Sequence, residues 1–319
     1  MSLDQAIESG PAAASSGNSI RREALLATRG LEVVFPGGVQ AIREVDLDVG
    51  GHELVAVLGP SGAGKSTLLR CFDHLVAPTR GRVYFDGADV TRVSGNRLRK
   101  LRQRVGMIFQ QFNLVGRLTV LENVMTGRLR RLGGPLPHVV SHARIFTPRQ
   151  LRIALEALDS LGIADKAYVR ADSLSGGQQQ RVAIARLLAQ DPQAILADEP
   201  IASLDPGSAA SVMNTLAHIH RERGLPVIVN LHQVDVAKQY ATRIIGMREG
   251  RIILDTTAAD FDDRCESVLY GGNDEASDPP IQHSSHLPAR SSAQPQPSAA
   301  VTTGTRYPAA TTKVVPPLS

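Results

Sequence analysis

Cysteine is scarce in this chain. Only two occur in 319 residues, Cys71 and Cys265, far apart and in no CxxC or metal-ligand spacing. That argues against a disulfide framework or a zinc site and points to a reducing compartment. Long apolar runs are missing as well: none approaches the roughly 20 residues that a bilayer span requires. The first residues, MSLDQAIESGPAAASSGNS, lack the continuous apolar stretch of a signal peptide. A cytoplasmic location is expected, with any membrane business conducted through a partner. A strong charge bias is also absent. Lys and Arg outnumber Asp and Glu only 35 to 31, which does not suggest a dedicated nucleic-acid binder but suits weak attraction to anionic ligands or an anionic membrane face. What remains, 42% hydrophobic and 21% charged residues, is the composition of an ordinary globular protein with a sizeable core.

Two shifts of composition frame that core. Residues 1–24 are small and polar and read as a disordered leader. From Asp274 onward the chain holds eight of its 19 prolines and few large apolar residues, and reads as a disordered tail. Between them, short apolar runs alternate with helical patterns. ELVAVLG (53–59), RVGMIFQ (104–110), QAILADE (193–199), PVIVNLH (226–232) and RIIGMRE (243–249) are buried-strand candidates. GSAASVMNTLAHIHRERG is one of the helical stretches between them. Strand and helix in alternation imply a parallel sheet covered on both faces. From about Phe112 to Gln190 the pattern is helical, in VLENVMTGRLRRL, PRQLRIALEALDSLG and QQQRVAIARLLAQ, which predicts a helical subdomain inserted into an α/β core.

Three motifs carry chemistry. Gly59–Thr67 reads GPSGAGKST, the G-x-x-x-x-G-K-[ST] pattern, with a buried strand before it and a helix after it. Glycines there let the backbone fold tightly so that consecutive N–H groups cradle phosphates. Lys65 would bridge the β and γ phosphates, and the Ser66 hydroxyl would ligate Mg²⁺. In QAILADEP an apolar strand delivers Asp198 and Glu199 at its C-terminal end, where ligands of open α/β sheets bind. Asp198 would hold Mg²⁺, directly or through water, and Glu199 would polarise an attacking water as general base. The third motif is LSGGQQQR, residues 174–181. Ser175 followed by Gln178 is a capping box, which starts many ordinary helices. A cap needs neither Gly176 nor Gly177, however, and glycine in a helix interior costs about 1 kcal/mol. Two glycines at a helix start admit the close approach of another group, and the positive end of the helix favours an anion.

LSGGQ some twenty residues before DEP, with a phosphate loop upstream, resembles the nucleotide-binding subunit of an ATP-binding-cassette (ABC) transporter. The resemblance covers about residues 25–271 and brings further matches in order. Phe35 matches the ring that stacks on adenine. Gln110 matches the glutamine that senses the γ-phosphate and the metal and joins the core to the helical subdomain. Ser203, Leu204 and Asp205 match the loop that crosses to a partner subunit, and His232 matches the switch histidine. The family implies a P-loop NTPase fold: a parallel-sheet core, an antiparallel β subdomain and an inserted helical subdomain. It also implies head-to-tail pairing with a second copy. Each ATP then lies between Gly59, Pro60, Ser61, Gly62, Ala63, Gly64, Lys65, Ser66 and Thr67 of one subunit and Ser175, Gly176, Gly177, Gln178 and Asp205 of the other. Glu199, His232 and Gln110 form the implied catalytic set; Ser66, Gln110 and Asp198 form the implied metal set.

The family further implies an integral membrane permease as partner. A periplasmic or lipoprotein substrate-binding protein would be an indirect partner, and the chain would lie peripherally on the cytoplasmic face of the inner membrane. A finer likeness lies in ILADEPIASLDP and NLHQVDVAKQYATRIIGMREGRI, which are similar to ATP-binding subunits of bacterial phosphonate importers. Ile201 and Gln233 stand where the wider family commonly has other residues, and RLTVLENVMTGRLRRLG and VLYGG point the same way. Against it, the stretch 134–147 lacks an expected tryptophan, the chain has none at all, and the proline-rich tail is extra. Alternatives are a soluble ABC-type accessory ATPase of carbon–phosphorus bond cleavage, an importer of another small oxyanion, and a nucleic-acid or translation ATPase of the same superfamily. The last commonly carries two cassettes or a long coiled coil, and this chain has neither.

Overall fold

The structure is a computed structural model that describes residues 24–129, 146–202 and 204–271. Residues 1–23 of the expected leader, the whole proline-rich tail with the last glycine of VLYGG, most of 134–147, and Ser203 lie outside the described residues, and Ala24, the last residue of the expected leader, already opens a strand.

The chain opens with two long antiparallel strands, β1 (Ala24–Val34) and β2 (Gln40–Gly50). With β4 (Arg80–Phe85) and β5 (Ala88–Asp89) they form a four-stranded sheet in the order β2-β1-β4-β5. In β2, Val45, Leu47 and Val49 are buried in alternation, but Ile42 falls out of step. The cause is local: Glu44 takes a left-handed conformation, φ 52°, and the β1–β2 register shifts beside it.

The second sheet has six strands in the order β10-β9-β3-β8-β7-β6. Its strands are β3 (Leu54–Leu58), β6 (Val105–Ile108), β7 (Ala194–Asp198), β8 (Val227–Asn230), β9 (Arg243–Arg248) and β10 (Arg251–Thr257). All neighbours are parallel except β10, which runs antiparallel to β9. The five buried runs of the sequence are therefore β3, β6, β7, β8 and β9. Every residue of β3 and β7 is buried because both faces of the sheet are covered. Alternate side chains of β3 divide accordingly: Leu54, Ala56 and Leu58 join the core on one face, Val55 and Val57 the core on the other.

That second face packs against α1 (Lys65–Phe72) and the antiparallel sheet. α2 (Gly95–Arg104) buries only Leu101; of its basic run Arg97, Arg99 and Lys100 are solvated, whereas Arg102 donates to the Asp73 and His74 carbonyls and Arg104 pairs with Asp86. The first face packs against α3 (Val120–Leu129), α4 (Pro148–Asp159), α5 (Gly176–Gln190) and α6 (Pro206–Arg223). α7 (Val234–Tyr240) and α8 (Asp263–Tyr270) complete the described helices. Between residues 112 and 190 the described residues hold α3, α4 and α5, two 3₁₀ turns and no strand beyond one isolated bridge, Thr119 with Arg170. Gly127 lets α3 lie against α5, since a Cβ there would stand 2.3 Å from the Arg186 carbonyl. No described helix is long and apolar enough to cross a membrane.

Candidate nucleotide site

β3 ends at Leu58 and α1 begins at Lys65, so the six-residue Gly59–Gly64 loop turns at the C-terminal edge of the parallel sheet. Two of its glycines are obligatory for space. A Cβ on Gly59 would stand 2.0 Å from the Met247 carbonyl oxygen, and one on Gly64, at φ 101°, would stand 2.4 Å from that of Ala41. The loop is tied down from outside: the Gly250 amide donates to the Ala63 carbonyl at 3.0 Å and the Gly59 amide to the Tyr270 hydroxyl at 3.2 Å. Among the described residues, the amides of Ser61, Gly62 and Gly64 donate no hydrogen bond. These free donors on a glycine loop fit an anionic ligand. Pro60 is half-buried, Ser61 exposed, Ala63 buried and Thr67 half-buried on the first turn of α1.

Lys65 is buried at 5% exposure, and its Nζ donates to the Gly59 and Pro60 carbonyls at 2.7 and 3.1 Å. Burial lowers the pKa of its ammonium below the ordinary lysine value, opposed by the nearby Glu199 and Asp198 carboxylates. The lysine thus caps the loop with its own charge, which phosphate oxygens would compensate.

Asp198, the last residue of β7, meets this loop. Its Oδ1 accepts from Ser66 Oγ at 2.6 Å and from Asn230 Nδ2 at 2.8 Å, and its Oδ2 accepts from Arg70 Nη2 at 3.1 Å. Two of the three expected metal ligands, Ser66 and Asp198, are therefore adjacent although 132 residues apart. A hydroxyl and one carboxylate are hard oxygen donors of the kind that hold Mg²⁺ beside phosphates. Gln110 lies two residues beyond β6; it is exposed and has no hydrogen bond among the described residues, so it is not drawn to that pair.

Glu199 follows directly and adopts φ 51°, a left-handed conformation that costs a non-glycine residue about 1–2 kcal/mol. Strain of this kind clusters at functional sites. His232, two residues past β8, places Nε2 2.8 Å from Glu199 Oε1. The acidic residue and the switch histidine thus meet at the ends of neighbouring strands.

Other expected residues lie apart from this cluster. Phe35 sits in the β1–β2 turn and is 38% exposed. Asp205 caps α6, its carboxylate accepting from the Ser208 amide at 2.9 Å; hydrogen bonding to Ser208 holds its pKa below the usual carboxylate value. Leu204 is half-buried, packed against the helical core. At the start of α5 the capping box is formed: the Gln178 amide donates to Ser175 Oγ at 3.4 Å and the Ser175 amide to Gln178 Oε1 at 3.0 Å. The ordinary helix-start reading of S-x-x-Q is thus a real part of the structure. The glycines add something else. A Cβ on Gly176 would meet only Leu204, at 4.0 Å, so this helix end is open, whereas one on Gly177 would press on Ser208 Oγ at 3.1 Å. No hydrogen bond among the described residues joins this motif to the phosphate loop of its own chain. Arg70, Asn230 and Tyr270, which touch the loop or Asp198 directly, carry no signal in a single sequence: their placement follows from sheet register and from the last described helix.

The family model described as ABC transporter matches residues 42–202. The chain belongs to the ABC transporter family. This cassette is 46% identical over 243 residues to the phosphonates import ATP-binding protein PhnC 3 of Halalkalibacterium halodurans, covering 76% of the chain and 93% of that relative. It is 51% identical over 236 residues to the phosphonates import ATP-binding protein PhnC of Thiobacillus denitrificans, covering 74% and 88% respectively. Among solved structures it resembles the dimeric post-hydrolysis state of the ATP-binding cassette MJ0796 bound to ADP and Pi. The TM-score is 0.63 at 34% identity, covering 74% of this chain and all of that one. A nucleotide-free ABC transporter cassette gives a TM-score of 0.67 at 27% identity, covering 77% and 95%. The cassette has the P-loop ATPase fold of these neighbours, with the phosphate loop between β3 and α1.

Proposed function

We propose that this cassette is the ATP-hydrolysing subunit of a phosphonate importer. It would work as a head-to-tail dimer with a second copy, beneath an integral membrane permease on the cytoplasmic face. The observation that carries the ATPase reading is the convergence of Lys65, Ser66, Asp198, Glu199 and His232 at the C-terminal edge of one sheet. The observation that carries the cargo is identity of 46–51% across nearly the full length of relatives named for phosphonate import. A substrate-binding protein would deliver that cargo to the permease, and this chain would touch neither. The leader up to residue 24 and the tail from residue 274 would flank the cassette without contributing to the site.

The chemistry follows from the placement of the side chains. The loop amides and Lys65 would hold the phosphates. Ser66 and Asp198 would hold Mg²⁺, with Gln110 approaching when the helical subdomain moves; the metal supplies charge neutralisation at the phosphate oxygens. Phe35 would stack on the base. Glu199 would orient and deprotonate water, while His232, already bonded to Glu199, would sense the terminal phosphate. The open end of α5, with Ser175, Gly176, Gly177 and Gln178, would face the loop of the partner copy, and Asp205 would lie at the same junction. ATP then favours the closed pair and hydrolysis releases it, a population shift driven by the phosphate both subunits hold.

Growth tests this reading. A strain lacking the cassette should fail on methylphosphonate or 2-aminoethylphosphonate as sole phosphorus source and grow on phosphate. The parent chain should restore growth, and Glu199→Gln should not. Uptake of labelled phosphonate separates import from intracellular carbon–phosphorus cleavage. Normal growth of the deletion strain, with no uptake defect, removes phosphonate as the cargo.

A further inference from the structure

Asp198 is gripped by three side chains on two elements, Ser66 and Arg70 of α1 and Asn230 of β8, and the last of these comes from the interior of the sheet. β8 lies between the strand that leads into the phosphate loop and the strand that ends in Asp198. Its last residue, Asn230, is in register with Val57 on one side and with Asp198 on the other. Registered residues of a parallel sheet project to the same face. The pairing therefore brings the Asn230 amide beside the Asp198 carboxylate, Nδ2 to Oδ1 at 2.8 Å, with Asn230 fully buried and Asp198 3% exposed. The carboxylate fixes the sense of the amide, since an oxygen turned toward it would be repelled. The other amide atom, Asn230 Oδ1, is buried with no hydrogen-bond partner. An orphaned acceptor of this sort costs about as much as a lost hydrogen bond and calls for a donor.

We propose that Asn230 is a positioning residue for the metal carboxylate: its Nδ2–H holds Asp198 Oδ1 toward Ser66, and its unpartnered Oδ1 is an acceptor set aside for the hydrated metal. The proposal rests on the reading of this site as one for Mg·ATP, and it adds a residue to it. The grip is selective. Ser66 and Arg70 both reach Asp198 from α1, the helix that follows the phosphate loop, Ser66 through a half-buried hydroxyl and Arg70 through a side chain 47% exposed. Asn230 reaches it from the rigid interior of the sheet. It therefore keeps Asp198 oriented when the Ser66 hydroxyl turns to a metal. Groups in this position behind a ligand change metal affinity or activity about 10–100-fold when removed.

The test uses the full chain and Mn²⁺ as a paramagnetic stand-in for Mg²⁺. Mn²⁺ binding in the presence of ADP is followed by electron paramagnetic resonance in the parent, Asn230→Leu and Asn230→Asp, with thermal unfolding of each in the absence of metal and nucleotide. Asn230→Leu removes a made bond together with an orphaned acceptor, so its metal-free unfolding temperature stays near that of the parent. Its half-saturating Mn²⁺ rises about 10–100-fold. Asn230→Asp keeps nearly the same side-chain volume but replaces the donor facing Asp198 with a like charge. Its half-saturating Mn²⁺ departs from the parent's by at least about tenfold, a response that a packing role alone would not give. A folded Asn230→Leu whose half-saturating Mn²⁺ stays within twofold of the parent overturns the proposal, as does a folded Asn230→Asp that matches the parent. A parent chain that binds no Mn²⁺ with ADP overturns instead the nucleotide reading beneath it, so the two failures are separable.

Discussion

Glu199→Gln separates catalysis from folding in this cassette, because its two expected effects differ in size. Glutamine has nearly the shape of glutamate, so the left-handed backbone at φ 51° and its cost of about 1–2 kcal/mol are carried unchanged. Besides a longer-range attraction to the Lys65 ammonium, which the loop carbonyls continue to hold, the interaction altered is the 2.8 Å contact with His232, whose side chain is 42% exposed against 20% for Glu199. A pair so open to water is worth about 0–1 kcal/mol, and a glutamine oxygen can still accept from the imidazole. Stability should therefore change by less than about 1 kcal/mol, a shift of no more than about 4 °C for a domain of this size. Turnover should fall far more. Removing a general base costs about 10²–10⁴-fold, or roughly 3–5 kcal/mol of barrier. Phosphate release under saturating Mg·ATP reads the rate, and differential scanning calorimetry reads the fold. Light scattering after gel filtration should show the variant as a dimer with Mg·ATP and the parent largely as a monomer. A variant that still hydrolyses within tenfold of the parent rate would refute Glu199 as the base. One that loses both activity and more than about 2 kcal/mol of stability would mean that its role is structural.

The second and third glycines of the phosphate loop should differ in a denaturant titration. Gly64→Ala meets the Ala41 carbonyl at 2.4 Å as well as a left-handed backbone and should cost about 2–4 kcal/mol, whereas Gly62→Ala, with nothing within 4 Å, should cost only the roughly 1–2 kcal/mol of strain. Arg243 is held by Asp255 through two 2.6 Å bonds and by Glu53 at 3.2 Å. Arg243→Met should destabilise by about 2 kcal/mol, less than a fully buried pair because Asp255 is 43% exposed, and adding Asp255→Asn should restore part of it. Burial pushes the Cys71 thiol up to about 12. The folded chain keeps a proton that the unfolded chain releases above pH 9, so this group's contribution is constant below pH 9 and falls as pH rises, by about 1.4 kcal/mol at pH 10. Urea midpoints of the parent and Cys71→Ala should converge over that range, and iodoacetamide at pH 8 should label neither buried cysteine until the chain unfolds.

Local chemistry made much of this cassette legible in its sequence. The five apolar runs read as interior-strand candidates because a sheet covered on both faces needs side chains apolar at every position, and all five are strands. The phosphate loop was readable because glycine spacing, lysine and hydroxyl must be contiguous to fold around an anion, and Gly59 and Gly64 are indeed the positions where any side chain would strike backbone. Asp198 and Glu199 were readable because a strand end delivers them together. The antiparallel sheet was not. In β1 and β2 the alternation is broken by left-handed Gly30 and Glu44 and by register shifts, so the period that marks a half-buried strand is lost locally and restored only by pairing. Nor did the sequence single out Asn230 or Tyr270. Each reaches the site through a partner 32 or 211 residues away, by sheet register or by the docking of the last described helix. Local rules act over a few residues along the chain. Which strand lies beside which, and therefore which amide stands behind the metal carboxylate, is decided by the packing of the whole sheet.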